Sequence, residues 1–236
     1  MRLYVPSMLT LCNLLLGCFA IVAVFRGNWF WVPWMVFAAG WFDMFDGLAA
    51  RKLNVSSELG KELDSLADMI TFGLVPGVIM FELLNLSFAT TNLPFEKDYL
   101  FALPGFLITA FSALRLAKFN IDTRQTKGFL GLATPACTMF FLGLTAGPLG
   151  KAGIFQNVIS NSYILYAITG IFSFLLVSEI PMFSAKSKSF KWKDNKVVYL
   201  FFIYCISILI IFGVIGFAIC SLSYIVLSLI LNLLDK

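Results

Sequence analysis

Apolar residues fall along this chain in long blocks separated by short polar clusters. The first block runs from about Pro6 to Phe25 and stops at the turn Arg26-Gly27-Asn28. The second runs from Trp29 to about Ala50 and ends in Arg51-Lys52. After a polar link, Leu53 to Ser57, a third helix is expected to start near Glu58, kink at Pro76 and end near Phe88. Leu86 to Asp98 reads as a loop. A fourth span, Tyr99 to about Phe119, is followed by the polar segment Asn120 to Gly128. A fifth runs from about Leu132 to Leu149 and a sixth from about Ser160 to Phe183, and Ser184 to Lys196 is a basic loop. The 38 residues from Val197 to Leu234 are almost all apolar. One helix of that length is about 57 Å long, nearly twice the ~30 Å bilayer core, so the run is divided in two near Cys220–Ser223. The pattern predicts an all-α polytopic membrane protein, a bundle of about eight transmembrane helices with seven as the alternative.

Composition agrees: 60% of residues are hydrophobic, 13% are charged and mean hydropathy is +0.90, outside the range of soluble domains. A single membrane domain over 1–236 is expected, since no polar stretch is long enough for a second. The lipid bilayer is its surroundings, and no nucleic-acid partner is expected. The first block is not read as a cleavable signal, because polar Thr10 and Asn13 interrupt it. The five cysteines lie in apolar runs with no CxxC pair and read as packing residues. There is no histidine, so acid–base chemistry and metal ligation fall to carboxylates. With eight spans, 14 of the 17 lysines and arginines lie on the side of the termini, and only Arg26, Lys97 and Lys151 lie opposite. That asymmetry predicts a cell (inner or plasma) membrane protein whose termini and acidic cluster face the cytoplasm.

The acidic cluster is the chemistry-bearing stretch. Six of the 13 acidic residues, four of them aspartates, fall between Asp43 and Asp68. Asp43 and Asp46 share a helix face with Gly47 and Ala50, and Gly60, Asp64 and Asp68 form a second row spaced by four. Two helices meeting along these rows would gather four carboxylates in a low-dielectric site, which calls for hard divalent cations such as Mg²⁺ or Mn²⁺ and for phosphate. Arg51 reads either as a phosphate contact or as a snorkelling interfacial residue. Arg115, about one turn inside the fourth span, is a costly intramembrane charge and a candidate for binding an acceptor carboxylate. Asn120, at the helix end, is grouped with it. Pro135 and its apolar neighbours read as packing.

The spacing D-x2-D-G-x2-A-R-x8-G-x3-D-x3-D, on Asp43, Asp46, Gly47, Ala50, Arg51, Gly60, Asp64 and Asp68, resembles the signature of the CDP-alcohol phosphatidyltransferases. Thr10, Asn13 and Gly17 are similar to the T-x2-N-x3-G of that family's first helix. Thr71-Phe72-Gly73 with Pro76, the run Ala113 to Asn120 and the run Phe129 to Ala136 resemble its bacterial and archaeal phosphatidylserine synthase branch, with Lys118 in place of an Arg. The resemblance spans about residues 5–186 and implies a six-helix catalytic core there, with a helical pair at about 197–234 beyond it. It implies transfer of a phosphatidyl group from CDP-diacylglycerol to L-serine with release of CMP, assisted by two Mg²⁺ or Mn²⁺ ions, in a homodimer. By the same resemblance Asp43, Asp46, Asp64 and Asp68 are metal ligands, with Asp68 also the catalytic base. Gly47, Ala50, Arg51, Gly60, Thr10 and Asn13 would bind the CDP-lipid, and Arg115, Lys118 and Asn120 the serine.

Other readings start from the same aspartates. The acceptor could be glycerol 3-phosphate or inositol phosphate. A UbiA-type prenyltransferase would fit Asp64-x3-Asp68, but its first motif is spaced by four, not three. An ion transporter would place its acids at the bilayer midplane on several helices.

Overall fold

The computed structural model describes residues 4–55, 57–89, 99–121, 129–150, 153–183 and 195–234. Ten α-helices account for most of them: α1 (Val5–Phe25), α2 (Trp31–Leu53), α3 (Glu58–Asp68), α4 (Val75–Ala89), α5 (Leu107–Ile121), α6 (Thr134–Leu144), α7 (Gly153–Ile159), α8 (Ser162–Val177), α9 (Lys196–Phe212) and α10 (Val214–Leu234). Among the described residues, four helical stretches are long and apolar enough to cross a membrane: Val5–Phe25, Glu58–Phe88, Tyr99–Ile121 and Val214–Leu234. α6, α8 and α9 are shorter apolar helices. The outer surface carries Phe19, Phe174 and Ile210 at 54, 63 and 79% exposure, and α9 has no buried residue at all. A surface this apolar belongs to a protein whose solvent is lipid. The chain is an all-α integral membrane protein.

α4 forms the centre, with Val75, Ile79, Met80, Leu83 and Leu84 almost wholly buried among α1, α5, α6 and α8. α1 lies along α2, α5 along α8, and α6 along α10. The α6–α10 crossing is tight: a Cβ on Gly143 would stand 2.3 Å from the Ala218 Cβ and 2.5 Å from its backbone N. Ser221 Oγ donates to the Ala136 carbonyl 2.7 Å away and pins the same pair. Packing of small residues with a hydroxyl-to-carbonyl bond is how helices associate where no hydrophobic force separates them from lipid.

Several elements differ from those expected. The third helix is not simply bent at Pro76; it widens into a π-helical turn over Met69–Leu74, between α3 and α4. Pro76 has no N–H to give the Phe72 carbonyl, and its ring crowds that turn, so the preceding helix opens. The Thr138 hydroxyl donates to the Phe72 carbonyl at 2.8 Å, sharing its one proton with the Thr134 carbonyl at 2.8 Å. Thr109 serves the Gly73 carbonyl at 3.1 Å.

The fifth span is cut short at Leu144 because Gly147, Pro148 and Gly150 follow in a series of turns. α7, unanticipated, precedes α8. The sixth span ends at Val177, and its expected tail instead pairs as β2 (Pro181–Met182) against β1 (Phe129–Leu130), a two-residue antiparallel ladder. Gly131 follows β1 at φ +76°, with space above it filled by the Ser178 and Leu176 carbonyls, so no side chain fits there. The final apolar run breaks at Gly213 (φ +56°), seven residues before Cys220, because glycine alone takes that backbone region freely. The loops read at Leu86 to Asp98, Asn120 to Gly128 and Ser184 to Lys196 lie largely outside the described residues.

Replacing Gly143 with Leu must push α6 off α10. We expect a loss of at least about 1–3 kcal/mol, seen as a lower Tm in detergent. Gly170→Ala, where a Cβ meets nothing within 4 Å, should leave Tm unchanged or raise it.

Candidate active site

The acidic stretch folds as two helices joined by a short reversal. α2 ends with Arg51 and Lys52 in its last turn, where cations favour the negative helix end, and Asn54 caps it at φ +52°. Val55 N–H bonds back to the Ala50 carbonyl at 3.0 Å. α3 then begins on Ser57, whose Oγ accepts the Gly60 N–H at 3.0 Å, with Glu58 in the first turn. The reversal lays α3 back beside the end of α2. Carboxylate oxygens of Asp43, Asp64 and Asp68 then lie within 4.8 Å of one another.

α1 supplies the third side. Thr10 donates to Asp46 Oδ2 at 2.6 Å, and Asn13 Nδ2 reaches Asp68 Oδ1 at 3.5 Å. The Asn13 carbonyl accepts from Thr71 in the π-helical turn, at 3.2 Å. Thr10 and Asn13, expected to touch the lipid donor, are thus turned onto the aspartates. Asp46 is buried behind Thr10 and stands outside the group of three.

The fourth wall is α5. Arg115 is 7% exposed, its Nη1 is 3.4 Å from Thr134 Oγ1, and its guanidinium lies 5.3 Å from the centre of the Phe119 ring. Asn120 Nδ2 donates to Ser65 Oγ on α3 at 2.8 Å and bridges the two helices. Together these enclose a cavity of about 440 Å³ lined by all four aspartates, Gly47, Arg51, Arg115 and Asn120. A second cavity of about 370 Å³ shares Asp46, Gly47, Arg51 and Asp64 with it and continues to Thr10, Ala50, Gly60 and Lys61.

One expectation needs correcting. Lys118 is exposed and does not line the cavity. On α5 the lining residues Arg115, Leu116, Phe119 and Asn120 form one face, and a residue three after Arg115 is turned about 130° from the middle of it. Gly47 and Gly60, the glycines among the donor-binding candidates, meet no other helix among the described residues. A Cβ on Gly47 would meet nothing within 4 Å, and at Gly60 only the capping Ser57 is near. Gly47 therefore borders open cavity.

Sequence reasoning passed over Ser65, Thr134, Phe119 and Pro135, which also line the cavity. Thr134 and Pro135 sit in the Phe129 to Ala136 run, where the proline read as packing. A hydroxyl next to it in an apolar run was the available signal.

The donor set fits a divalent cation. Three carboxylates converge, and Asp64 Oδ1 is buried with no hydrogen-bond partner among the described residues. A buried carboxylate oxygen left bare is costly unless a cation takes it. Mn²⁺ or Mg²⁺ should therefore raise the Tm of the wild-type protein, by the equivalent of about 2.7 kcal/mol at a hundred times Kd. The rise should be absent in Asp64→Ala and Asp68→Ala. An equal rise in those variants would place the ion elsewhere.

The comparisons with known proteins point the same way. The profile of the CDP-alcohol phosphatidyltransferase family matches residues 3–175. The chain is 34% identical over 164 residues to the CDP-diacylglycerol–serine O-phosphatidyltransferase of Bacillus subtilis (strain 168), covering 67% of this chain and 88% of that one. It is 32% identical over 161 residues to the protein of the same name from Methanocaldococcus jannaschii, covering 68% and 64%. It is 31% identical over 136 residues to that from Helicobacter pylori (strain 26695), covering 57% and 54%. The matched part spans about half the length of the Helicobacter relative. Converging aspartates on the helices where the family signature falls, and a profile match over most of the chain, make it a member of the CDP-alcohol phosphatidyltransferase family of transferases.

Proposed function

We propose that this protein transfers a phosphatidyl group from CDP-diacylglycerol to the hydroxyl of L-serine, yielding phosphatidylserine and CMP. The observation that carries this reading is one cavity with three convergent carboxylates on one side and a buried guanidinium on the other. Relatives named for the same reaction support it.

Charge supports a two-ion site. Four carboxylates against Arg51 and Arg115 leave a formal deficit of two positive charges, and a diphosphate adds about two negative charges more. One divalent ion leaves a large imbalance, and two nearly close it. Bound Mg²⁺ or Mn²⁺ would neutralise the diphosphate oxygens and stabilise the leaving phosphate.

The chain's own residues do the rest. Asp43, Asp64 and one oxygen of Asp68 hold the cationic side, joined by Asp46, which Thr10 fixes. Arg51 and the open backbone at Gly47 receive the nucleotide phosphates. Arg115, steadied by Thr134 and Phe119, keeps N–H donors for the acceptor carboxylate. Asp68 takes the proton of the serine hydroxyl as its oxygen bonds to the phosphorus bearing diacylglycerol. The bond from that phosphorus to the bridging oxygen breaks, and CMP leaves with the electron pair. Asn120, held to Ser65, closes the acceptor side.

The reading also includes eight spans, an active site facing the cytoplasm from the plasma membrane, and a homodimer. The excess of Lys and Arg on one side supports the orientation.

Purified protein should release CMP from CDP-diacylglycerol only with both a divalent cation and L-serine. Turnover with glycerol 3-phosphate or inositol phosphate but not serine would move it to a sister activity. Ala at Asp43, Asp46 or Asp64 should remove most activity. Arg115→Ala should raise KM for serine by one to three orders of magnitude, about 1.4–4 kcal/mol, with little change in donor affinity. Serinol, which lacks the carboxylate, should be a poor substrate for the wild type and no longer disfavoured by the variant.

Orientation has its own test. With the native cysteines removed, a cysteine at exposed Lys52 should react with an impermeant thiol reagent from the cytoplasmic side. One at exposed Asn28, at the other end of α2, should react only from the opposite side. Reaction of both from one face would overturn the orientation.

A further inference from the structure

A third cavity, a groove of about 270 Å³, opens beside the carboxylates, and its lining is almost wholly apolar. Val36 and Gly40 of α2, Phe72 of the π-helical turn, Met139 of α6, Phe202 of α9 and Phe217 of α10 form it. Asp43, Met44 and Pro135 line both this groove and the polar cavity, so the two are continuous at the level of the metal-binding acids. The Thr138 hydroxyl in its wall is turned to backbone carbonyls, which leaves the groove without a polar demand of its own.

The outer wall belongs to the C-terminal pair, beyond residue 175 where the family match ends. Its two halves are held differently. Phe217 is fully buried, edge-on to Trp34 at 6.1 Å and to Phe37 at 5.8 Å, on a helix locked to α6 at Gly143 and Ser221. Phe202 is 56% exposed, on a helix with no buried residue that hangs from α10 across the Gly213 break and a 2.9 Å bond between Tyr204 and Ser223. One wall is fixed on the core, and the other packs chiefly on α10, where Cys220 meets the Cys205 carbonyl at 3.7 Å and the Phe201 and Tyr224 rings lie 6.2 Å apart.

We propose that this groove takes one acyl chain of the CDP-linked lipid, and that Phe202 and Phe217 of the C-terminal pair set which chains fit. This rests on the donor reading above. A lipid whose diphosphate lies at Asp43 has an apolar tail that must leave the polar cavity, and the groove begins at that carboxylate. A half-exposed Phe202 on the outermost helix lets the wall adjust to chain length. A fixed Phe217 closes the inner end.

Gly40 gives a way to fill the groove without touching the acids. A Cβ there meets only Phe72 Cζ at 3.7 Å, an ordinary contact, so Gly40→Leu places its branch in the groove. Full-length protein would be assayed with L-serine and CDP-diacylglycerols carrying either six-carbon or sixteen-carbon chains. The variant should raise KM for the long-chain donor about tenfold or more, with a much smaller change for the short one and none for serine. Phe202→Ala should relax the preference between the two donors.

A CDP-diacylglycerol with a diazirine midway along one chain, photolysed on the wild type without serine, should label α9 and α10 near Phe202 and Phe217. Labelling with no serine turnover would sustain the groove and defeat only the acceptor assignment. Labelling confined to the lipid-facing side of α1, at Met8, Leu11 and Leu15, would overturn the groove, as would a Gly40→Leu protein that treats both donors as the wild type does.

Discussion

Like charges held together in an apolar surround set the terms for the rest of this molecule. Four aspartates line one cavity, three of them with oxygens within 4.8 Å of each other, in a chain whose other helices are mostly hydrocarbon. Such a cluster loses hydration and gains repulsion, and persists only with compensation built around it. Each neighbouring element supplies some. α1 gives a hydroxyl to Asp46 and an amide to Asp68, and α5 brings Arg115, the one lysine or arginine that is buried among the described residues. What these leave over is a bare oxygen on Asp64 and a charge deficit, and both ask for a cation.

Helix irregularity is placed where it serves that cluster. The π-helical turn begins at the residue after Asp68 and carries Thr71, which holds α1 through the Asn13 carbonyl. The carbonyls left open by the widened turn and by Pro76 are met by Thr109 and Thr138, from α5 and α6. In lipid no water is available for that task, so the neighbouring helices must carry hydroxyls at those positions. The same threonines thus tie the helices around the site into one unit.

The sequence disclosed the acids and the long helices because both are local signals. Asp43 to Asp68 stand out in an oily chain, and α1, α2 and the Glu58 start agree closely with the hydropathy blocks. Less local features were hidden. Hydropathy cannot tell where a buried apolar run breaks, so Gly213 was passed over for the more polar Cys220–Ser223. It cannot show that Thr10 and Asn13 turn to aspartates, or that Lys118 points away while Asn120, two residues on, lines the cavity. Those depend on helix rotation, which sequence spacing gives only relative to a neighbour that must first be known. The ladder of β1 and β2 joins residues about 50 apart and leaves no trace in either short segment.

The central claim is that Asp43, Asp64 and Asp68 hold divalent cations against the diphosphate of a CDP-linked lipid. Anomalous scattering from crystals grown with Mn²⁺ and CDP-diacylglycerol measures this most directly. The account predicts manganese peaks among those three carboxylates, one of them bound by Asp64, with the diphosphate oxygens in contact. Manganese bound only elsewhere, with the diphosphate seated away from the aspartates, would contradict it.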